Sequence, residues 1–213
     1  FWRPGAARPP PRPLTLEVDR EAEGGAVAVW NAHEKQSLER QRRSLPIYAV
    51  RRELLWLVER HGVVVVVGAP GCGKSTQLPQ YLAEAGWASG GRLVVCTQPR
   101  RVAAQQVAAR AAEEAGCELG ADVGYAVRFE DVATEGVTRV KYCTDGVLIR
   151  QLAEDPLLTR CAAVIVDEAH ERSLATDVLL GLLKKVRRAR PDLRLVIASA
   201  TLQAREVASY FQE

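Results

Sequence analysis

The sequence predicts an α/β fold in which a parallel sheet carries helices on both faces. Four short apolar runs have the length and the Val, Ile and Leu content of buried strands: residues 63–67, 93–96, 164–166 and 195–198. Between them lie stretches with helical periodicity, such as residues 100–116 and 173–189. Alternating strands and helices favour a parallel sheet, because each crossover needs a helix to bring the chain back to the same end.

Composition limits the class of protein. The chain has 213 residues, 47% of them hydrophobic, which suits one domain with an extended arm. The net charge of +3 permits nucleic-acid binding without indicating it. No apolar run reaches the roughly 18 residues of a membrane span, so we expect no membrane partner. Five scattered cysteines predict neither a zinc site nor a disulfide framework and favour a reducing, intracellular location: Cys72, Cys96, Cys117, Cys143 and Cys161.

The first part of the chain predicts an arm followed by a helix. Residues 1–45 open with a Pro/Arg-rich stretch and are expected to be partly disordered. Residues 46–62 have apolar positions at helical spacing and end at Gly62, which predicts an amphipathic helix. Two later segments, 124–129 and 137–143, read as further strands.

A glycine-rich loop follows the first predicted strand. In "GAPGCGKST" the pattern GxxxxGK[ST] lies between a strand and a helix, where successive backbone N–H groups and the helix N-terminus can hold a phosphate. Lys74 would reach the β- and γ-phosphates, and the Ser75 hydroxyl would bind magnesium. An ordinary tight turn is the alternative, and the flanking strand and helix disfavour it. The predicted nucleotide-binding residues here are Gly68, Gly71, Cys72, Gly73, Lys74, Ser75 and Thr76.

A pair of carboxylates follows the third apolar run. In "VIVDEAHERS", Asp167 and Glu168 come directly after a predicted strand, at the edge of an open α/β sheet where ligands bind. Asp167 can hold magnesium, and Glu168 can orient and deprotonate an attacking water. An exposed acidic turn would explain the motif in isolation. It is disfavoured downstream of a phosphate loop.

Other strands also end in polar motifs. "TQPRR" follows the second run, "TDG" follows residues 137–143, and "SAT" follows the last run. Because parallel strands point the same way, all five polar ends should lie at one edge of the sheet. That edge is the predicted functional site.

Some basic residues near this edge are candidates for nucleic-acid binding. Arg100 and Arg101 could contact phosphates, although a solvated helix start would look the same. Arg128 could do likewise or could be the polar side of an edge strand. Phe129 could stack on a base, but we expect it to pack into the core.

Taken in order, these motifs resemble a known family. "GAPGCGKST", "TQPRRVAA", "TDG", "DEAHER" and "SAT" are similar to motifs I, Ia, Ib, II and III of the DEAH-box RNA helicases over about residues 45–213. The resemblance implies a P-loop NTPase fold, specifically the first RecA-like lobe of a motor that couples ATP hydrolysis to 3′ to 5′ movement on RNA. It also implies ATP and magnesium as cofactors, spliceosomal partners, a nuclear location and a monomer.

The resemblance implies a role for each motif residue. Lys74, Asp167, Glu168 and His170 would be catalytic, with Ser75, Asp167 and Glu168 around the metal. Arg110 would stack on the base of the bound nucleotide. The residues that would contact RNA are Arg100, Arg101, Arg128 and Thr144. Coupling of the nucleotide state to the opposite lobe would depend on His170, Ser199 and Thr201.

The sequence departs from the family in two ways. Ala69 and Pro70 stand where the family usually has Glu-Thr, so side-chain contacts from those positions are lost. Residues 46–213 match the first lobe alone, and we expect the second lobe and the C-terminal domains to be absent from these residues. The lobe should then bind nucleotide but hydrolyse it poorly. The alternative is a non-catalytic module that binds RNA or a protein partner; an unrelated P-loop ATPase would leave "TQPRR", "TDG" and "SAT" unexplained.

Overall fold

The structure is a computed structural model that describes residues 37–200, 207 and 209–211. Within them, two 3₁₀ segments, Pro46–Val50 and Ala169–Glu171, accompany the regular elements. The strands are β1 (Val63–Val67), β2 (Leu93–Gln98), β3 (Val123–Val127), β4 (Glu130–Val132), β5 (Val140–Thr144), β6 (Cys161–Val166) and β7 (Arg194–Ser199). The helices are α1 (Leu38–Ser44), α2 (Arg51–Arg60), α3 (Lys74–Glu84), α4 (Arg101–Ala115), α5 (Asp145–Glu154) and α6 (Leu174–Ala189).

The strands form one sheet in the order β1-β7-β6-β2-β5-β3-β4. Every pair is parallel except β3 with β4. The five strands that were predicted to end in polar motifs, β1, β7, β6, β2 and β5, are consecutive neighbours in this order. Their carboxyl ends therefore lie side by side at one edge, as the sequence predicted.

Helices cover both faces of the sheet, which confirms the predicted fold class. One apolar cluster contains Val94, Tyr142 and Ile165 with side chains of α2, α3 and α4. The other contains Val95 and Val164 with side chains of α5 and α6. Residues in the same strand alternate between the two clusters because successive strand side chains point to opposite faces.

Strand β1 is covered on both faces, as its five consecutive valines predicted: Val64 and Val66 pack in the cluster with α2, α3 and α4, and Val63 and Val65 pack in the cluster with α5 and α6. Its position at the end of the sheet order was not predicted. Only Val64 is buried, and Val67 is exposed. An apolar run indicates a strand without indicating its place in the sheet, since pairing is decided by residues far away in the chain.

Three other predicted elements have different bounds in the structure. The predicted helix 46–62 starts as a 3₁₀ turn with Pro46 at its first position and becomes α-helical at Arg51. The predicted strand 124–129 ends at Val127, and 137–143 becomes a strand only at Val140.

The predicted arm, residues 1–45, falls mostly outside the described residues. Its last part forms the short helix α1. Among the described residues, no helix is long and apolar enough to cross a bilayer.

Candidate functional site

The phosphate-loop motif forms the turn between β1 and α3. Gly71 and Gly73 have positive φ angles of 76° and 98°, which residues with a side chain rarely adopt. A Cβ on Gly71 would meet no atom within 4 Å, whereas one on Gly73 would lie 3.0 Å from both Leu45 and Ile47. The glycines thus serve two needs: an open concave loop at Gly71 and close packing against the chain before α2 at Gly73.

Lys74, the first residue of α3, is buried with its ammonium inside this loop. Its Nζ donates to the carbonyl oxygens of Gly68 at 2.5 Å and Ala69 at 3.1 Å, and lies 3.7 Å from the Cys72 sulfur. Charge-assisted bonds of this kind hold the cation where a phosphate would enter. A bound phosphate would replace these carbonyls as the partner of the ammonium.

The loop is anchored to the sheet from two sides. The Gly68 N–H donates to the Ser199 carbonyl at 3.1 Å, which connects the ends of β1 and β7. The buried Tyr142 on β5 donates its hydroxyl to the Ser75 carbonyl at 3.0 Å. Ser75 and Thr76 are half-buried in the first turn of α3, directly after the loop, and the Thr76 hydroxyl accepts the side-chain amide of Gln77 at 3.0 Å.

Asp167 follows β6 and is 1% exposed. Its Oδ1 accepts the Glu168 N–H at 2.9 Å, and its Oδ2 accepts the side-chain amide of Gln98 at 2.7 Å. Each carboxylate oxygen keeps a lone pair, so the group can still ligate a cation. The sequence interpretation did not single out Gln98, although its place as the last residue of β2, inside "TQPRR", was an available signal.

Glu168 has a left-handed backbone with a φ of 51°. Such strain in a residue with a side chain costs about 1–3 kcal/mol and clusters at functional sites. Burial raises the pKa of Glu168, as does the adjacent Asp167 carboxylate, while His170 and the Lys74 ammonium oppose the shift. The Gly68 N–H donates to Ser199 at the end of β7, and the next residue, Ala200, donates to His170, two positions after Glu168. The phosphate loop and the two carboxylates are therefore neighbours, although more than 90 positions separate them in the sequence.

His170 joins this group to the end of β7. Its Nδ1 accepts the Ala200 N–H at 3.3 Å and lies 3.4 Å from the Glu168 Oε2. A ring nitrogen cannot accept the first contact and donate to the second at the same time, so only one of the two can be a hydrogen bond at any moment. Ser199 is buried at the same strand end. Thr201, the other residue predicted to couple the lobes, lies outside the described residues.

A magnesium ion fits the donors at this edge. Among the described residues, no group of three His, Cys, Asp or Glu side chains could enclose a metal by itself. Mg²⁺ is typically held by one or two carboxylates, waters and substrate phosphates. Asp167, with a lone pair left on each oxygen, and the hydroxyl of Ser75 match that donor set.

The predicted RNA-binding residues lie on the other half of the same edge. Arg100 and Arg101 follow β2 and are exposed, and Thr144 is the last residue of β5, paired in register with Gln98. Arg128 follows β3, the next strand along, and is also exposed. The structure therefore brings these four residues to adjacent strand ends. The phosphate loop follows β1 and the carboxylates follow β6, on the other side of the same edge, with β7 between them.

Phe129 contradicts our expectation that it packs into the core. It is 86% exposed, in the turn between β3 and β4, with a φ of 70°. The Arg128 guanidinium lies 4.8 Å from the centre of its ring. The turn directs the side chain outward, and periodicity in the preceding strand could not predict this.

Arg110 lies apart from the other arginines, near the helix that follows the phosphate loop. Its guanidinium donates to Glu114 at 2.9 Å and to Gln41 of α1 at 2.9 Å. Glu114 also accepts bonds from Gln77 and Gln80 of α3. The structure thus places Arg110 beside α3 and not with the RNA candidates.

Comparisons with known proteins show which family this sequence resembles. Residues 48–210 match the DEAD/DEAH box helicase family. The whole chain is 49% identical to the "Probable ATP-dependent RNA helicase DHX35" of Homo sapiens and 46% identical to its homolog in Caenorhabditis elegans, and covers 30% of each. It is 48% identical, over 94% of its length and 17% of the relative, to the "Pre-mRNA-splicing factor ATP-dependent RNA helicase prp22" of Schizosaccharomyces pombe.

The chain therefore spans about a third or less of the length of these relatives. The matched region contains the phosphate loop, the carboxylate pair and the basic strand ends described above. On this evidence, the chain belongs to the DEAD/DEAH box helicase family.

Proposed function

We propose that this chain is the ATP-binding lobe of an RNA helicase that couples ATP hydrolysis to 3′ to 5′ movement along RNA. The observation that carries the proposal is the shared sheet edge. Phosphate-binding and carboxylate groups occupy the ends of β1 and β6, and basic residues follow β2 and β3. Nucleotide and RNA would then bind to adjacent strands of one rigid sheet.

Nucleotide binding would begin with release of Lys74 from its loop. The ammonium would leave the Gly68 and Ala69 carbonyls for the β- and γ-phosphates, and the loop N–H groups would donate to the same phosphates. The hydroxyl of Ser75 and the carboxylate of Asp167 would hold magnesium, which neutralises charge on the phosphates when bound.

The reaction would need a base next to the terminal phosphate. Glu168 would orient a water and accept its proton, and the raised pKa strengthens it as a base. Asp167 would keep the position that Gln98 and the Glu168 N–H impose on it. His170, Ser199 and Thr201 would transmit the nucleotide state to a second lobe.

Hydrolysis by these 213 residues alone should be slow. In related phosphoryl-transfer enzymes an arginine finger contributes about 10³ to 10⁵ in rate. By resemblance to the family, the finger residues would come from a second lobe. We therefore propose binding without efficient turnover.

RNA would be held through its backbone. Arg100, Arg101, Arg128 and Thr144 offer donors to phosphate and sugar, which position a strand without reading its sequence. The splicing factor among the relatives supports a role in pre-mRNA splicing, with spliceosomal partners and a nuclear location.

Calorimetric titration of the 213-residue chain with MgADP tests the proposal. Lys74→Ala should remove binding while the thermal unfolding curve stays cooperative. Lys141→Ala is the matched control, because Lys141 lies on β5 and pairs with Asp131 at 2.9 Å, away from the phosphate loop. Undiminished ADP affinity in Lys74→Ala would refute the proposal. RNA binding without any nucleotide binding would instead favour a non-catalytic module.

A further inference from the structure

Two links connect the segment Asp167–Ser173 to the strands that end in the RNA candidates. The first is the ion pair between Arg100 and Glu171 at 3.2 Å, whose side chains are 74% and 33% exposed. The second is a chain of hydrogen bonds from half-buried Ser173 to the buried residues Thr176 and Asp145. Exposed ion pairs contribute little, whereas hydrogen bonds to a buried charge are among the strongest in proteins. The chain of hydrogen bonds through Ser173, Thr176 and Asp145, called the buried link below, should therefore contribute more to the connection than the exposed ion pair does.

The donor and the acceptor of each hydrogen bond in the buried link can be assigned. Thr176 on α6 donates its hydroxyl to the Asp145 Oδ2 at 2.6 Å, and both residues are buried. Since that uses the one hydroxyl proton of Thr176, the contact of 2.7 Å between the Ser173 and Thr176 hydroxyls must have Ser173 as the donor. The Ser173 oxygen in turn accepts the Thr176 N–H at 3.0 Å and caps α6.

Each end of this link adjoins a different half of the sheet edge. Asp145 directly follows Thr144, at the end of β5. Ser173 directly follows Arg172, at the end of the segment that starts with Asp167. Any shift of the β5 end would thus reach the carboxylate segment through two short side chains and the first turn of α6.

One carboxylate oxygen of Asp145 in the buried link accepts no hydrogen bond from the part of the chain that the structure describes. Among the described residues, the Asp145 Oδ1 and the Thr97 Oγ1 are buried side-chain atoms without a hydrogen-bond partner. Thr97 lies on β2, and its carbonyl accepts the Asp167 N–H at 3.2 Å. Burying such groups is costly, and an apolar core would avoid the cost. The spare acceptor on Asp145 leaves room for a second arrangement of the link, which a coupling element requires.

We propose that Asp145 and Thr176 are positioning residues that couple RNA contact at the ends of β2 and β5 to nucleotide occupancy at the Asp167–Glu168 pair. This inference rests on the proposed function. It assigns the coupling to a buried side-chain link inside one lobe, in addition to any contact with a second lobe. Coupling between two ligands is reciprocal, so it can be measured from either side.

The test measures the Kd of a fluorescein-labelled oligouridine strand for the 213-residue chain, with and without a saturating non-hydrolysable ATP analogue and magnesium. The ratio of the two values is the coupling factor. We expect a factor of about fivefold or more in the wild type, within the usual range for allosteric pairs. Thr176→Val removes the hydroxyl at similar volume and should bring the factor below about twofold, while each ligand alone binds within about threefold of wild type.

Two variants separate coupling from structure. Thr176→Ser keeps the donor and should retain the wild-type factor. Glu171→Gln weakens the exposed pair with Arg100, leaves the buried link intact and should also retain the wild-type factor. If Thr176→Val does not fold, Asp145→Leu, which keeps a similar volume and removes both acceptor oxygens, replaces it with the same expectation.

A Thr176→Val chain with the full wild-type factor would overturn the inference and leave the proposed function intact. So would a wild-type chain that binds both ligands independently. A wild-type chain that binds no nucleotide overturns the proposed function itself, and the inference falls with it.

Discussion

The side-chain amide of Gln98 donates to the Asp167 carboxylate at 2.7 Å, across 69 positions of sequence. Both residues are buried. Gln98 ends β2 and Asp167 follows β6, its neighbour in the sheet, so the bond fixes the direction of the carboxylate at the candidate site. It also connects the motif that carries the candidate RNA arginines to the carboxylate pair.

Replacing Gln98 with Ala should therefore weaken magnesium-dependent nucleotide binding. Partners that orient a metal-binding carboxylate contribute about 10- to 100-fold in affinity, and we expect a loss in that range for MgADP. Calorimetric titration measures it. Gln105→Ala is the control, since Gln105 donates instead to Glu130 on β4. Equal affinities of Gln98→Ala and wild type would show that Asp167 does not need this partner.

The pH dependence of hydrolysis should follow Glu168. Burial and Asp167 raise its pKa above the usual 4.5, and the base must be ionised to accept a proton. Single-turnover hydrolysis of radiolabelled ATP should therefore fall on acidification with a midpoint above 4.5. Glu168→Gln should abolish hydrolysis at every pH and keep ATP binding. A midpoint at or below 4.5 in the wild type would contradict the assignment.

The same shift predicts an effect on stability. Because the folded pKa of Glu168 lies above the unfolded value, its contribution to the free energy of unfolding is fully present below the unfolded pKa. That contribution is lost as pH rises through the folded pKa. Glu168→Gln cannot ionise, so it should unfold at a higher temperature than wild type near pH 8. Calorimetric scans at pH 4 and pH 8 test this prediction. The difference in unfolding temperature between Glu168→Gln and wild type should be smaller at pH 4.

The two glycines of the phosphate loop should differ in their cost to stability. Gly73→Ala adds a Cβ within 3.0 Å of Leu45 and Ile47 at a positive φ, whereas Gly71→Ala meets only the backbone cost. The left-handed backbone costs about 1–2 kcal/mol in either variant. Contact with Leu45 and Ile47 should make Gly73→Ala the less stable of the pair in urea unfolding. Equal unfolding free energies would show that Leu45 and Ile47 move aside for the added methyl group without a measurable cost.

Phe129 should matter for RNA and not for folding. Its exposure predicts a change in unfolding free energy within about 0.5 kcal/mol for Phe129→Ala. If the ring stacks on a base, RNA affinity should fall by the equivalent of about 1–3 kcal/mol. Trp56 is the matched control, because it is 53% exposed and has Arg60 over its ring, but lies on α2 before the start of β1. Equal loss in fluorescence anisotropy titrations of both variants would mean that Phe129 has no specific role.

The carboxylate pair and the glycine-rich loop were predictable because their signals are local. A strand, a loop with Gly71 and Gly73 and a helix are contiguous in "VVVVVGAPGCGKST", and Asp167 and Glu168 directly follow an apolar strand. Alternation of strands and helices predicts parallel pairing, and parallel pairing places the polar ends together. The convergence of the motifs was therefore available from the order of the residues alone.

Only the tertiary structure decided which side chains support that edge. Gln98 with Asp167 and Asp145 with Thr176 are pairs between separate elements, and no periodicity in either element predicts its partner. The same holds for β1 at the end of the sheet order and for the outward turn at Phe129. Local sequence determines the conformation and the chemistry of each segment, whereas neighbours across the sheet depend on pairing and packing over distances that local patterns do not encode.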